Sequence, residues 1–167
     1  LDGGEGLNIC DYTDAEIKNA TCTYDDSAPV LSGFNLSSTS VDSGSSTKRL
    51  TVSGVISDAT GYQDGDLSCS IGIHTYHIRI FSNLSGYTTD DTTYTMAPDN
   101  NWNVVGSSQS FTFSADILIP LGASPGSCSF SGFLRDKIGN VGFVSNLATL
   151  TITRTPAGQP SEPQALR

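Results

Sequence analysis

Basic residues are scarce in this chain of 167 residues. Eight Lys and Arg stand against 17 Asp and Glu, which gives a net charge of −9. A nucleic-acid-binding surface needs a concentrated basic patch that displaces counterions from phosphates, so this composition excludes nucleic acid as a partner. The sequence also has no apolar run approaching the ~18 residues of a membrane span, so we expect no membrane insertion.

Residues that favour helices are also few, whereas Ser, Thr and Gly are abundant. From Pro29 onward, short runs of alternating apolar residues are separated by Gly, Ser, Asp and Asn, a pattern typical of an all-β fold. Each strand should bury one face and leave the other in water. We predict seven strands, at about 29–37, 48–57, 70–82, 92–97, 109–119, 127–135 and 141–153. We predict a core of Phe34, Leu50, Val52, Ile78, Phe111, Phe113, Ile117, Phe130, Leu134, Leu150 and Ile152.

Catalytic patterns are weak. Residues 122–126 match the Gly-x-Ser-x-Gly nucleophile motif, but the residue after the Ser is Pro125, which lacks the N–H that an oxyanion hole requires. His74 and His77 are three positions apart on a predicted strand and should point to opposite faces. Glycoside hydrolysis needs paired carboxylates, and the three Glu of the chain all lie in the terminal segments. We therefore predict that the protein is not an enzyme.

The four cysteines predict disulfides and an oxidising, extracellular compartment. Pairing in sequence order would join Cys10 to Cys22 and Cys69 to Cys128. The predicted strands, however, place Cys69 and Cys128 towards opposite poles, and a disulfide requires Cα atoms within about 7 Å. Pairing of Cys22 with Cys69 therefore stays open.

Three short segments together resemble a known family. Ser27–Leu31 follows two Asp, Ile117–Pro125 is followed by Gly126, and Asp136–Val141 has the form Asp-x-x-Gly-Asn. These segments resemble the bacterial immunoglobulin-like domains of repetitive extracellular and surface proteins, over roughly residues 27–153. The resemblance implies a seven-stranded antiparallel immunoglobulin-like β-sandwich.

Both ends of the chain differ in character from its middle. Residues 1–28 are predicted to be an N-terminal arm or the end of an upstream module, 29–154 the sandwich, and 155–167 a linker. Pro160–Leu166 resembles the start of a fibronectin type III domain. We therefore expect one module of a larger secreted or cell-surface protein, with neighbouring domains of the same chain as partners.

Acidic loops suggest a cation site. In a sandwich of this strand order, the start of the first strand, the loop after the second and the last hairpin lie at one pole. Calcium prefers six to eight oxygen ligands, which carboxylates and amides supply. The alternative is that Asp and Asn serve only as turn residues. The candidate calcium ligands are Asp25, Asp26, Asp58, Asp64, Asp66, Asp136 and Asn140.

Aromatic residues suggest a second kind of site. Trp102 lies in a polar stretch, and Tyr62, Tyr87 and Tyr94 are further candidates for stacking on a surface glycan. The alternative for Trp102 is that it packs over one end of the sandwich.

We predict a non-catalytic structural spacer or adhesion domain that contacts neighbouring domains and, in an adhesive role, a surface glycan or protein. Two alternatives stay open. One is a carbohydrate-binding module attached to a secreted enzyme. The other is a fibre subunit whose 1–28 arm adds a strand to the sheet of a neighbour.

Overall fold

The computed structural model describes residues 26–91 and 101–155. These residues form strands joined by turns, and among them there is no helix long and apolar enough to cross a membrane. The strands are β1 Val30–Leu36, β2 Ser40–Asp42, β3 Lys48–Ser57, β4 Tyr62–Ile71, β5 His74–Phe81, β6 Gly86–Asp90, β7 Asn103–Ser107, β8 Ser110–Ile119, β9 Gly126–Ser129, β10 Ser131–Asp136, β11 Val141–Val144 and β12 Thr149–Thr153.

The first sheet has four strands in the order β1-β3-β8-β7. Its centre is the antiparallel pair β3–β8, which stays in register from Lys48 opposite Ile119 to Ser57 opposite Ser110. Along most of both strands, buried residues alternate with more exposed ones, because one face packs against the core and the other is turned away from it. The predictions for 48–57 and 109–119 are confirmed to within one residue.

The second sheet has five strands in the order β11-β10-β4-β5-β6. Here the prediction of a single strand over 70–82 was wrong. Residues 58–69 were read as a loop, but most of them belong to β4, which turns at Gly72 into β5. Gly72 has a φ of +61°, a backbone conformation that glycine adopts without strain.

A third, smaller sheet has the order β2-β12-β9. Strand β2 runs parallel to β12, with Ser40 opposite Thr151 and Asp42 opposite Thr153. All other strand pairs in the described part of the chain are antiparallel. The predicted strands 127–135 and 141–153 are each divided in two, and β2, β4, β6 and β7 were not predicted, so the described residues contain twelve strands rather than seven. The predicted strand 92–97 lies outside the described residues.

A single hydrophobic core joins the sheets. It takes Ile56 and Phe113 from the first sheet, Leu67 and Ile78 from the second and Leu150 from the third. This layered, all-β arrangement fits a β-sandwich. Ten of the eleven predicted core residues are buried, and Phe34 is partly buried against the same cluster.

The predicted disulfide between Cys69 and Cys128 is confirmed, with Cα atoms 5.6 Å apart. The apparent conflict over poles arose because Cys69 lies near the end of β4, not at the start of a strand. The bond therefore connects β4 of the five-stranded sheet to β9 of the small sheet. Cys10 and Cys22 lie outside the described residues.

Candidate interaction face

The outward side of the five-stranded sheet carries an unusual concentration of charged and aromatic side chains. Along β4, Gly65, Leu67 and Cys69 are buried, so the intervening residues face away from the core. The cross-strand partners of these residues share that side of the sheet. We call this surface the outer face, and it comprises Asp64, Asp66, Ser68, Thr75, His77, Arg79, Phe81, Tyr87, Thr89, Ser131, Phe133, Arg135, Val141 and Phe143.

Strand register aligns five of these residues in a row across the sheet. Phe143 pairs with Phe133, Phe133 with Asp66, Asp66 with Arg79, and Arg79 with Tyr87. Because neighbouring strands lie about 4.8 Å apart, the row spans roughly 19 Å. It therefore has aromatic residues at both ends and an acid beside a base near its middle.

The charges on the outer face form a connected network. The Oδ2 atom of Asp66 accepts a hydrogen bond from Arg79 Nε at 3.0 Å, and its Oδ1 atom lies 2.9 Å from His77 Nδ1. Arg79 also donates to the Tyr87 hydroxyl at 3.4 Å, and these contacts raise the pKa of its guanidinium above the ordinary value. Arg135 and Asp64 form a two-pronged ion pair on the adjacent row.

His77 links two acidic residues. Its Nδ1 atom faces Asp66, while its Nε2 atom lies 3.0 Å from Asp91 Oδ2. An imidazole with a carboxylate at each nitrogen donates to both only when it is protonated. The predicted separation of the histidines is confirmed, because His74 lies on the buried side of β5, where Nδ1 contacts Asp90 at 2.6 Å.

The edges of the outer face are apolar. Phe143 is 85% exposed, Val141 is 43% exposed on the same strand, and Phe133 lies beside them on β10. At the opposite edge, Phe81 is 41% exposed and contacts Tyr87, with ring centroids 5.7 Å apart. Single exposed apolar residues are common, but clustered ones that share a face indicate a contact surface.

The predicted glycan platform is only partly on the surface. Trp102 packs on Phe113 with ring centroids 6.0 Å apart, and its Nε1 atom donates to Leu84 O at 3.0 Å. A side chain at Gly86 would collide with the Trp102 ring, so that glycine makes the packing possible. Tyr62 is fully buried. Among the other candidates, Tyr87 lies on the outer face and Tyr94 lies outside the described residues.

Three predicted calcium ligands do meet at one pole, which we call the acidic pole (Asp58, Asp136 and Asn140). The Thr60 hydroxyl joins the two carboxylates, at 2.8 Å from Asp58 Oδ1 and 3.3 Å from Asp136 Oδ2. The Asn140 side-chain amide donates to Asp136 Oδ2 at 2.8 Å and to Ser27 O at 3.3 Å. The start of the first strand, the β3–β4 loop and the β10–β11 hairpin therefore converge.

Backbone N–H groups hold these carboxylates in place. Asp136 Oδ1 accepts from Ile138 N at 3.0 Å and Asn140 N at 2.8 Å, and Asp58 Oδ1 accepts from Gly61 N at 2.7 Å. Such bonds are those of Asp in turns. The Oδ2 atom of Asp58 is buried and has no hydrogen-bond partner among the described residues.

The remaining predicted ligands lie elsewhere. Asp64 and Asp66 belong to β4 and are paired with bases on the outer face, so they do not join the acidic pole. Asp26 is exposed next to Ser27, and Asp25 lies outside the described residues. Across residues 26–91 and 101–155, no three His, Cys, Asp or Glu side chains are grouped so that they could hold a metal ion. A calcium site stays a prediction.

Sequence reasoning missed Phe133, Phe143 and Arg79 as members of a candidate site. The available signal was alternation, since Leu134 was predicted to belong to the core and its neighbour Phe133 therefore had to face outward. The cross-strand row was not visible in the sequence, because it depends on the register of four strand pairs.

The small sheet forms a third notable feature, which we call the clasp: β2, β12 and the residues that bond them. Besides the parallel ladder, Thr151 N donates to Thr39 O at 2.8 Å and Ser43 N donates to Thr153 O at 2.9 Å. Asp42 Oδ1 accepts from Gly44 N at 2.8 Å and Thr155 N at 3.0 Å. The hydrogen bonds from Thr155 and Gly44 lower the pKa of Asp42 to about 2.

No family model, curated protein or solved structure matches this chain. Its chemistry must therefore be argued from its own residues.

Proposed function

We propose that the protein is a non-catalytic, immunoglobulin-like extracellular module. It acts as a mechanical spacer and adhesion domain of a larger surface or secreted protein. The strand order supports the immunoglobulin-like part of this proposal. Immunoglobulin sandwiches place strands A, B, E and D in one sheet, and variable-type domains extend the G-F-C sheet by two strands. The orders β1-β3-β8-β7 and β11-β10-β4-β5-β6 correspond to these two sheets.

The Cys69–Cys128 disulfide supports the extracellular part, because disulfides persist in oxidising compartments. It differs from the B–F disulfide of antibody domains, since it joins β4, which corresponds to C, to β9 of the small sheet. A cross-link at this position ties the five-stranded sheet to the strand that pairs with β12 of the clasp.

The observation that carries the spacer role is the clasp. It pairs the second strand of the described chain with the last one, and the two run parallel. When the two ends of the chain are pulled apart, β2 and β12 are drawn in opposite directions along their common axis. Their hydrogen bonds are then loaded together in shear, whereas a pull across the ladder would break them one at a time.

Single-molecule pulling tests the spacer role. We expect the module to unfold at a severalfold higher force when pulled by its two ends than when pulled through handles at Ser38 and Ser145. Those two residues are exposed and precede β2 and β12 at the same end of the pair, so that geometry unzips the clasp. Equal forces in the two geometries would contradict the proposal.

The clasp also predicts an effect of pH and of Asp42→Ala. Because the pKa of Asp42 is lowered in the fold, its stabilising effect is present above the ordinary value of 3.8 and is lost as the pH falls through about 2. Asp42→Ala should lower the end-to-end unfolding force at neutral pH and weaken its dependence on pH in the acid range. Asp26→Ala removes an exposed carboxylate outside the clasp and serves as the matched control.

A further inference from the structure

The central row of the outer face is self-complementary. Read from β10 to β6, it consists of Phe133, Asp66, Arg79 and Tyr87. A two-fold axis parallel to the strands and midway between β4 and β5 would exchange the positions of Asp66 and Arg79 and those of Phe133 and Tyr87. A two-fold interface requires this property, because both copies use the same surface and each residue must face a complementary residue of the other copy.

We propose that the outer face is a homotypic contact surface and that its partner is a second copy of this chain, docked face to face. Asp66 of each copy then lies over Arg79 of the other, and Phe133 lies over Tyr87. The next row places Ser68 over His77 of the second copy. Acid therefore meets base and aromatic meets aromatic at the centre of the contact.

The overall charge favours this face over others as the site of self-contact. The chain carries a net charge of −9, so two copies repel each other on average. On the outer face, Asp64 and Asp66 are offset by Arg135 and Arg79, which bond directly to them. Two copies can approach through this face with little repulsion.

The side chains retain capacity for bonds across the contact. Arg79 uses Nε and Nη1 in its own chain, and a guanidinium has five N–H donors in all. The side chain of Arg79 is 40% exposed and that of Asp66 is 23% exposed, so both remain accessible. The two Asp66–Arg79 pairs of a dimer would form a ring of alternating charges, flanked on each side by a Phe133–Tyr87 contact.

The expected contact is small. The axis between β4 and β5 leaves β11 without a strand opposite it, so four strands of each copy overlap. Four strands at about 4.8 Å spacing and three rows of side chains give roughly 400 Å² per copy, so about 800 Å² is buried in total. This is less than a stable interface buries and implies weak, reversible association. Modules repeated on a surface would gain strength by multiple simultaneous contacts. The inference concerns the adhesive part of the proposed function and does not depend on the clasp.

A charge-swap experiment tests the proposal. Sedimentation equilibrium of the wild-type chain from about 10 μM to about 1 mM should show a monomer–dimer equilibrium. Asp66→Arg and Arg79→Glu should each weaken self-association at least about tenfold, because like charges then face each other twice in the dimer. An equimolar mixture of the two variants should associate again, because the mixed dimer restores opposite charges at both contacts.

Controls separate this result from effects on folding. Arg154→Glu reverses an exposed charge off the outer face and should leave self-association unchanged. Phe143 is 85% exposed and lies on β11, which has no strand opposite it in this dimer, so Phe143→Ser should leave both self-association and the melting temperature unchanged. A wild-type chain that stays monomeric to 1 mM would overturn the proposal. So would Asp66→Arg and Arg79→Glu variants that each associate like wild type, or a mixture of these two variants that fails to associate. A monomer whose outer-face resonances shift only on adding a soluble polysaccharide would assign the face to a glycan instead.

Pulling and association experiments address different features. Loss of self-association with normal unfolding force would remove the homotypic contact and leave the spacer role intact. A low end-to-end unfolding force with normal self-association would remove the spacer role and leave the homotypic contact intact.

Discussion

The acidic pole and the outer face use the same residue type in opposite ways. At the pole, Asp58 and Asp136 are buried, and N–H and hydroxyl groups of the loops bond to Asp136 and to one oxygen of Asp58. On the outer face, Asp64 and Asp66 are more exposed and paired with Arg and His side chains. The first pair shapes the backbone of the turns, whereas the second sets the charge of a surface.

This difference shows why acidic residues that are close in sequence need not act together. Asp58 lies just past the end of β3, whereas Asp64 and Asp66 lie within β4. A few residues of chain separate a turn from the outward face of a sheet. Substitutions in the two regions should therefore differ in both kind and size.

The largest effect is expected at Asp136. Asp136→Ala removes the acceptor of two backbone N–H groups and of the Asn140 amide. Hydrogen bonds to charged groups contribute about 1.5–3 kcal/mol each, so the free energy of unfolding should fall by at least about 3 kcal/mol. Urea unfolding followed by two probes measures this change. Asp136→Asn should lose less, and a loss below about 1 kcal/mol for the Ala variant would contradict the structural role of the pole.

Calcium binding at the acidic pole is expected to have an intermediate effect on stability. Its dependence on Asp58 rather than on Asp64 distinguishes the two regions. The unpartnered Oδ2 of Asp58 is the oxygen at the pole that a cation would engage without breaking a hydrogen bond. A ligand at 100 times its dissociation constant stabilises the fold by about 2.7 kcal/mol. Calorimetric titration after chelation should give heat and a higher melting temperature, both lost in Asp58→Asn and kept in Asp64→Asn. No heat and no shift in the wild type would refute calcium binding.

The smallest effect is expected for Asp64→Asn on the outer face. Both partners of the Asp64–Arg135 pair are accessible to water, which screens their attraction, so such pairs add little to stability. The melting temperature should change by no more than about 3 °C in differential scanning calorimetry. If Asp64→Asn destabilised the protein as much as Asp136→Ala does, the two regions would not differ in kind.

The positions of strands could be predicted from the sequence where apolar residues recur regularly at alternate positions. Strands β3 and β8 were located within a residue, because apolar residues recur at most of their inward-facing positions. The convergence of three loops on the acidic pole was also anticipated. It followed from the order of the strands rather than from any local motif.

The sequence was misleading where strands carry turn-forming residues. Strand β4 contains Asp64, Gly65 and Asp66, which read as a loop, yet the glycine is inward because bulkier residues have no space there. A Cβ at Gly65 would meet Phe133 O and the Tyr62 hydroxyl at 2.7 Å. Only the packed neighbours reveal that need, so neither β4 nor the outer-face row was predicted.

The Cys69–Cys128 disulfide has a consequence for the length of the protein under tension. It encloses a segment of 59 positions that includes β5, β6, β7 and β8. If the sheets are pulled open, the chain before Cys69 and after Cys128 extends, but the enclosed segment is bypassed. At about 3.4 Å per residue, roughly 200 Å of chain is withheld until the bond is reduced. The extended length of the chain under tension therefore depends on whether this bond is oxidised or reduced.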